Sequence, residues 1–142
     1  MPEDPSSRPD EAVPAKLVSF AWPARGRITS GFGKLADGKM SNGLHIAVPD
    51  GAPVHAAADG KIIYAGNGIE QFGNLILIDH GNNWVSAYAH NKKLNVSRGD
   101  TVARGDMIAN AGSSGIVEET RLHFELRNNS RPLDPLPYLT AT

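Results

Sequence analysis

Cysteine is absent from all 142 residues, which excludes disulfides, thiolate zinc sites and a cysteine nucleophile but says little about compartment. An excess of either charge is missing too, since 14 Lys and Arg stand against 15 Asp and Glu. No global field therefore recruits nucleic acid or an anionic membrane, although a local patch stays open. No apolar run approaches the length of a transmembrane helix, and Met1-Pro2-Glu3-Asp4 is the reverse of a basic signal-peptide start. Helical periodicity never persists long enough to name a helix, and there is no internal repeat. Metal chemistry, if any, falls to five histidines and the carboxylates.

What is present divides the chain in two. Residues 1–19 carry Pro2, Pro5, Pro9 and Pro14 among Ser, Asp and Glu, a segment too polar and proline-rich to fold. It reads as a disordered linker whose upstream neighbour has been cut away, so the chain is expected to be a fragment of a longer exported protein. Residues 20–142 form one domain, long enough to bury a core.

That domain reads as all β, with short alternating or β-branched runs punctuated by Gly, Asn and Asp. Strands are expected at Arg27–Phe32, Leu44–Ala47, Pro53–Ala56, Gly60–Ala65, Asn74–Asp79, Trp84–His90, Asp106–Ala111 and Arg121–Arg127. Asp79-His80-Gly81-Asn82-Asn83 between two of them is a hairpin signal, and His80 is read as stabilising that hairpin. The proline-rich close, Arg131 to Leu139, suits neither a helix nor a central strand; Leu133, Leu136, Tyr138 and Leu139 are expected to pack it onto the body.

Arg121-Leu122-His123-Phe124-Glu125-Leu126-Arg127 organises the rest. Its apolar residues alternate with polar ones, so Leu122, Phe124 and Leu126 face a core while Arg121, His123, Glu125 and Arg127 line the opposite, exposed face. Trp84 to His90 repeats the logic: Trp84, Ser86, Tyr88 and His90 share one side, and Tyr88 and His90 are expected to join His123 over a shared groove.

The run from Gly43 through Ile46-Ala47, Pro49, Gly51, Pro53-Val54 and Ala56-Ala57-Ala58-Asp59-Gly60 to Tyr64-Ala65-Gly66 is followed by five further motifs. These are Gly73-Asn74-Leu75, Ile78-Asp79-His80-Gly81, Tyr88-Ala89-His90, Gly112-Ser113-Ser114-Gly115 and Leu122-His123-Phe124-Glu125. Together they closely resemble the LytM (peptidase M23) domain across residues 20–140. The resemblance implies an antiparallel sheet packed with a smaller one, and a groove across the sheet between loops near 34–42, 67–73 and 113–120.

Active members of that family are zinc endopeptidases of peptidoglycan cross-bridges. Their ligands come from His-x-x-x-Asp and the second His of His-x-His, and two further histidines act around the attacked carbonyl. Carried over by position, the first ligand falls on Ser41, the aspartate on His45, the strand histidine on His90, the first His of His-x-His on Arg121 and the second on His123. Only His90 and His123 match. A serine hydroxyl is a poor zinc donor, and two ligands rarely hold the ion. A fixed guanidinium about 5 Å from a dication opposes binding by several kcal/mol at an effective dielectric of about 20, and Arg121 does not act as a base.

A LytM domain altered in this way resembles the amidase activators of the NlpD, EnvC and DipM type. That likeness implies a periplasmic pseudoenzyme without a metal cofactor, which binds and switches on N-acetylmuramoyl-L-alanine amidases during septal wall hydrolysis and cell separation. The partner-binding groove is assigned to Ser41, Asn42, His45, Tyr88, His90, Arg121, His123 and Arg127. Two alternatives stay open: a peptidase whose His45, His90 and His123 form a rewired metal site, and a module that binds peptidoglycan passively. A lipoyl- or biotinyl-type carrier fails because the residues flanking Lys61 do not fit.

Overall fold

The structure, a computed structural model, describes residues 19–140 except residues 36, 37, 116 and 118. The linker expected over 1–19 therefore lies, apart from Ser19, outside the described residues. The rest is β-structure with two single-turn 3-10 helices, at Glu70–Phe72 and Leu136–Tyr138, and no α-helix among the described residues.

One antiparallel sheet dominates. Its order is β10 (Thr101–Val102), β7 (Gly60–Gly66), β8 (Asn74–Gly81), β9 (Trp84–Leu94), β12 (Arg121–Asn128), β5 (Leu44–Ala47) and β2 (Arg27–Ser30). β13 (Arg131–Leu133) extends β12 beyond the reach of β5, pairing with Leu126–Asn128. β9 bends, so that its first half pairs with β8 and β12 while Asn91–Leu94 pairs with β11 (Met107–Ala111), which in turn pairs with β6 (Pro53–His55). β6, β11 and the far end of β9 make the smaller layer that the family resemblance implied. Two ribbons complete the chain, β1 (Phe20–Ala21) with β14 (Leu139–Thr140) and β3 (Gly33–Lys34) with β4 (Met40–Ser41).

All eight expected strands form, within one residue at their starts and four at their ends. The hairpin signal after Asp79 holds: β8 and β9 are joined by Asn82-Asn83, both at positive φ (53° and 69°), the left-handed pair of a type I′ turn. Asn129 and Ser130 (φ 55° and 65°) make the same turn between β12 and β13, at the same end of the sheet.

The core lies between the main sheet and the smaller layer. Leu122, Phe124 and Leu126 of β12, Ile76 and Ile78 of β8 and Tyr88 of β9 meet Val54 of β6 and Ile108 of β11, all fully buried. Burial of each large apolar side chain contributes about 1.5–3 kcal/mol. The closing segment packs on through Leu133, Tyr138 and Leu139, with the Tyr138 ring 5.2 Å from Trp84. Leu136 does not join them; it is 45% exposed on the one-turn helix.

Candidate functional site

Cross-strand register builds the site. His123 of β12 sits opposite His45 of β5 on one side and Ala89 of β9 on the other, which puts the His45 and His123 rings on one sheet face, 4.8 Å apart. Strict alternation would send His90 to the core side with Tyr88. Instead His90 adopts φ 70°, a left-handed conformation rare outside glycine, where β9 leaves the main sheet. That one reversal brings its ring within 6.1 Å of His123 and 6.3 Å of His45. Its Nδ1–H donates to the Ser114 carbonyl at 2.9 Å.

Ser114 belongs to a clasp. Its hydroxyl donates to the Asn91 carbonyl at 2.6 Å and accepts from the Asn74 amide at 3.0 Å. Gly73 (φ 64°) and Gly115 (φ 84°) pass so closely that a Cβ on Gly73 would lie 2.4 Å from Ser114. The clasp fixes the one-turn helix before it, and Phe72 stacks on His123 at 5.9 Å and 14°. The polar face of β12, expected to be exposed, is therefore covered in part: His123 is 7% and Glu125 3% exposed.

Electrostatics follows from that cover. His123 Nε2 lies 2.8 Å from one Glu125 oxygen, and Arg127 donates to the other through Nε and Nη2 at 2.9 and 2.6 Å. Burial alone would raise the Glu125 pKa, but the hydrogen bonds and charges of His123 and Arg127 outweigh it and lower the value. With Nε2–H turned to Glu125, His123 Nδ1 keeps a buried lone pair with no partner among the described residues. Arg121 donates from Nη1 to His45 Nδ1 at 3.2 Å. Burial, then His123, Arg121 and His90, push His45 down to about 4. His90 is lowered as well, chiefly by burial, so both rings are neutral at pH 7.

Next to His123 opens a trough of about 680 Å³ on the outer face of the sheet. Ile63, Phe72, Leu75, Leu77, Val85 and Ala87 make it apolar, Glu125 and Arg127 edge it, and the two left-handed turns close its far end. Of the three loops expected to rim the groove, 67–73 alone lines this trough among the described residues, through Ile69 and Phe72.

Of the eight residues assigned to the groove, His45, His90, Arg121 and His123 come together and Arg127 lines the trough. Ser41 turns its hydroxyl back to the Gly43 carbonyl at 2.9 Å, and Asn42 is exposed beside it. Tyr88 requires correction. It lies fully buried on the core side, its hydroxyl accepting the Ala57 amide at 2.9 Å and meeting Ser86 Oγ at 2.7 Å. His80 does more than hold its hairpin, since Nδ1–H donates to the Asp59 carbonyl and Nε2 meets Ser86 Oγ, both at 2.7 Å. The trough's apolar floor escaped the sequence reading. Its signal was the unbroken Leu75-Ile76-Leu77-Ile78 run, apolar on both faces of an antiparallel strand.

A catalytic zinc ion does not fit these donors. Ser41 is tied into its own turn, its hydroxyl donating to the Gly43 carbonyl at 2.9 Å and accepting the Gly43 amide at 3.5 Å, and Arg121 occupies the His45 Nδ1 lone pair. The three rings converge as a three-histidine site requires, yet the guanidinium beside them repels a dication.

The family model described as "Peptidase family M23" matches residues 39–135. The "Cell division protein DipM" of Caulobacter vibrioides is 44% identical over 131 residues, covering 88% of this chain and 22% of that protein. The "Murein hydrolase activator NlpD" of Escherichia coli is 40% identical over 123 residues, covering 87% of this chain and 32% of that protein. The chain thus spans less than a third of the length of either relative. Among solved structures, a zinc-containing peptidase from Vibrio cholerae superposes with a TM-score of 0.77 at 35% identity, over 83% of this chain and 39% of that one.

Proposed function

The chain belongs to peptidase family M23, and from that membership we propose that it is a non-catalytic member that binds and activates wall hydrolases. One observation carries this reading: the Arg121 guanidinium rests on His45 Nδ1, in the positions where an active member needs a metal ligand and a base. A relative named as a murein hydrolase activator and another named as a cell division protein support the same role. The partner is an N-acetylmuramoyl-L-alanine amidase, the setting is the periplasm, and the outcome is septal peptidoglycan hydrolysis during cell separation. The apolar trough, edged by Glu125, Arg127 and His123, together with Arg121 two residues along the same strand, is the docking face, an arrangement of apolar floor and fixed donors suited to an interface centre.

Two measurements test the proposal. Purified chain is added to wall sacculi alone and together with a candidate amidase. Activation requires no digestion by the chain alone and faster digestion by the pair, whereas digestion by the chain alone that a chelator abolishes identifies a peptidase. Metal analysis after purification without chelator is the second; stoichiometric zinc overturns the proposal. Binding to sacculi with no effect on any amidase leaves passive peptidoglycan recognition as the function.

A further inference from the structure

Charge around the histidines is unbalanced. Among the described residues, Glu125 is the carboxylate next to the histidines, with Asp79 farther along the trough, and Arg127 and His123 both engage Glu125. An imidazole carries no negative charge in either protonation state, so His45 and His90 compensate nothing. Arg121 therefore carries a full positive charge with one neutral acceptor, His45, as its hydrogen-bond partner among the described residues. A guanidinium presents five N–H groups in a planar fork that matches a carboxylate, and only one of them is engaged here. The group is half-buried, where an ion pair is worth more than at an open surface. It stands two residues from His123 on the same strand face, and His123 lines the end of the apolar trough.

We propose that Arg121 is the seat for an acidic side chain of the partner hydrolase, whose neighbouring apolar residues fill the trough over Leu77, Val85 and Ala87. The inference rests on the activator reading and specifies its recognition chemistry: a short segment with an apolar stretch and one Asp or Glu at the end that reaches past His123. His45 holds the guanidinium in place through Nδ1, leaving the rest of the fork for the incoming carboxylate. A protein-borne cation here replaces the attraction that a metal ion supplies in active relatives.

The test uses two capped dipeptides, acetyl-Leu-Glu-amide and acetyl-Leu-Gln-amide, titrated into the chain and followed by NMR shifts of β5 and β12. The acidic probe is expected to bind roughly tenfold tighter, and Arg121→Gln to abolish that preference while leaving the spectrum of the core unchanged. Equal affinity for the two probes, no binding of the acidic one, or an unchanged preference in Arg121→Gln overturns the seat. Amidase stimulation separates this inference from the broader reading. If Leu77→Glu abolishes stimulation and Arg121→Gln leaves it intact, the seat is wrong and the docking face stands. If both variants stimulate like the parent chain, the docking face is wrong as well.

Discussion

Acid should destabilise this protein well before its carboxylates protonate, and His45 should be a principal cause. In the folded chain its pKa is pushed from 6.5 to about 4, first by burial and then by repulsion from His123, Arg121 and His90. The unfolded chain therefore takes up this proton more readily between those two values. The stabilisation is complete above about pH 6.5 and is lost as pH falls toward 4. At about 1.4 kcal/mol per pKa unit, the ceiling is about 3 kcal/mol below pH 4 and about 2 kcal/mol at pH 5. His45 is only half-buried, so solvent screening reduces the value at pH 5 to about 1 kcal/mol. His45→Asn removes the titration while keeping an acceptor for Arg121. Urea unfolding of both proteins at pH 7.5 and pH 5 isolates the effect, because His80 and His90 titrate in both and cancel. The lower pH stays above the range in which Glu125, with its lowered pKa, begins to protonate. The parent chain should lose about 1 kcal/mol more than the variant between the two pH values. Equal losses would refute the electrostatic account of the histidine cluster.

Other consequences follow from single contacts. Tyr88→Phe leaves the Ala57 amide without its acceptor and Ser86 with His80 as its remaining partner, and should cost about 1–3 kcal/mol in chemical denaturation, with amidase stimulation per folded molecule unchanged. Were Tyr88 a groove residue instead, stimulation would fall and stability would hold. Gly73→Ala forces a side chain into Ser114 at a positive φ; a loss of about 2 kcal/mol or more is expected by thermal melting, and a neutral result would mean that the clasp is not closed in solution. Phe72→Ala removes the ring stacked on His123 and opens the trough; stability should drop by about 1 kcal/mol and stimulation should weaken, both read on one preparation.

Much of this molecule is written in its local pattern. Alternation along β12 fixes Leu122, Phe124 and Leu126 to one face and Arg121, His123, Glu125 and Arg127 to the other, because successive side chains of a strand point in opposite directions. Asn82-Asn83 announces its hairpin because both residues tolerate the left-handed region that the turn demands. Family motifs order the strands and mark Ser41, His45 and Arg121 as departures from a metal site.

Periodicity distinguishes two faces without saying which is covered, nor where it lapses. Tyr88 and His90 share a parity, yet one lies in the core and the other beside His123, since the φ of His90 is set by the bend that carries β9 from one layer to the next. The burial of Glu125, the stacking of Phe72 and the capping of His45 by Arg121 each join segments far apart in the chain. Such contacts depend on strand register and loop packing, so they exist only once the sheet has closed. Residue types alone placed Ser41, His45 and Arg121 where the family resemblance implies metal and base positions; the fold decided that the Arg121 guanidinium bonds to His45 there, beside an apolar trough.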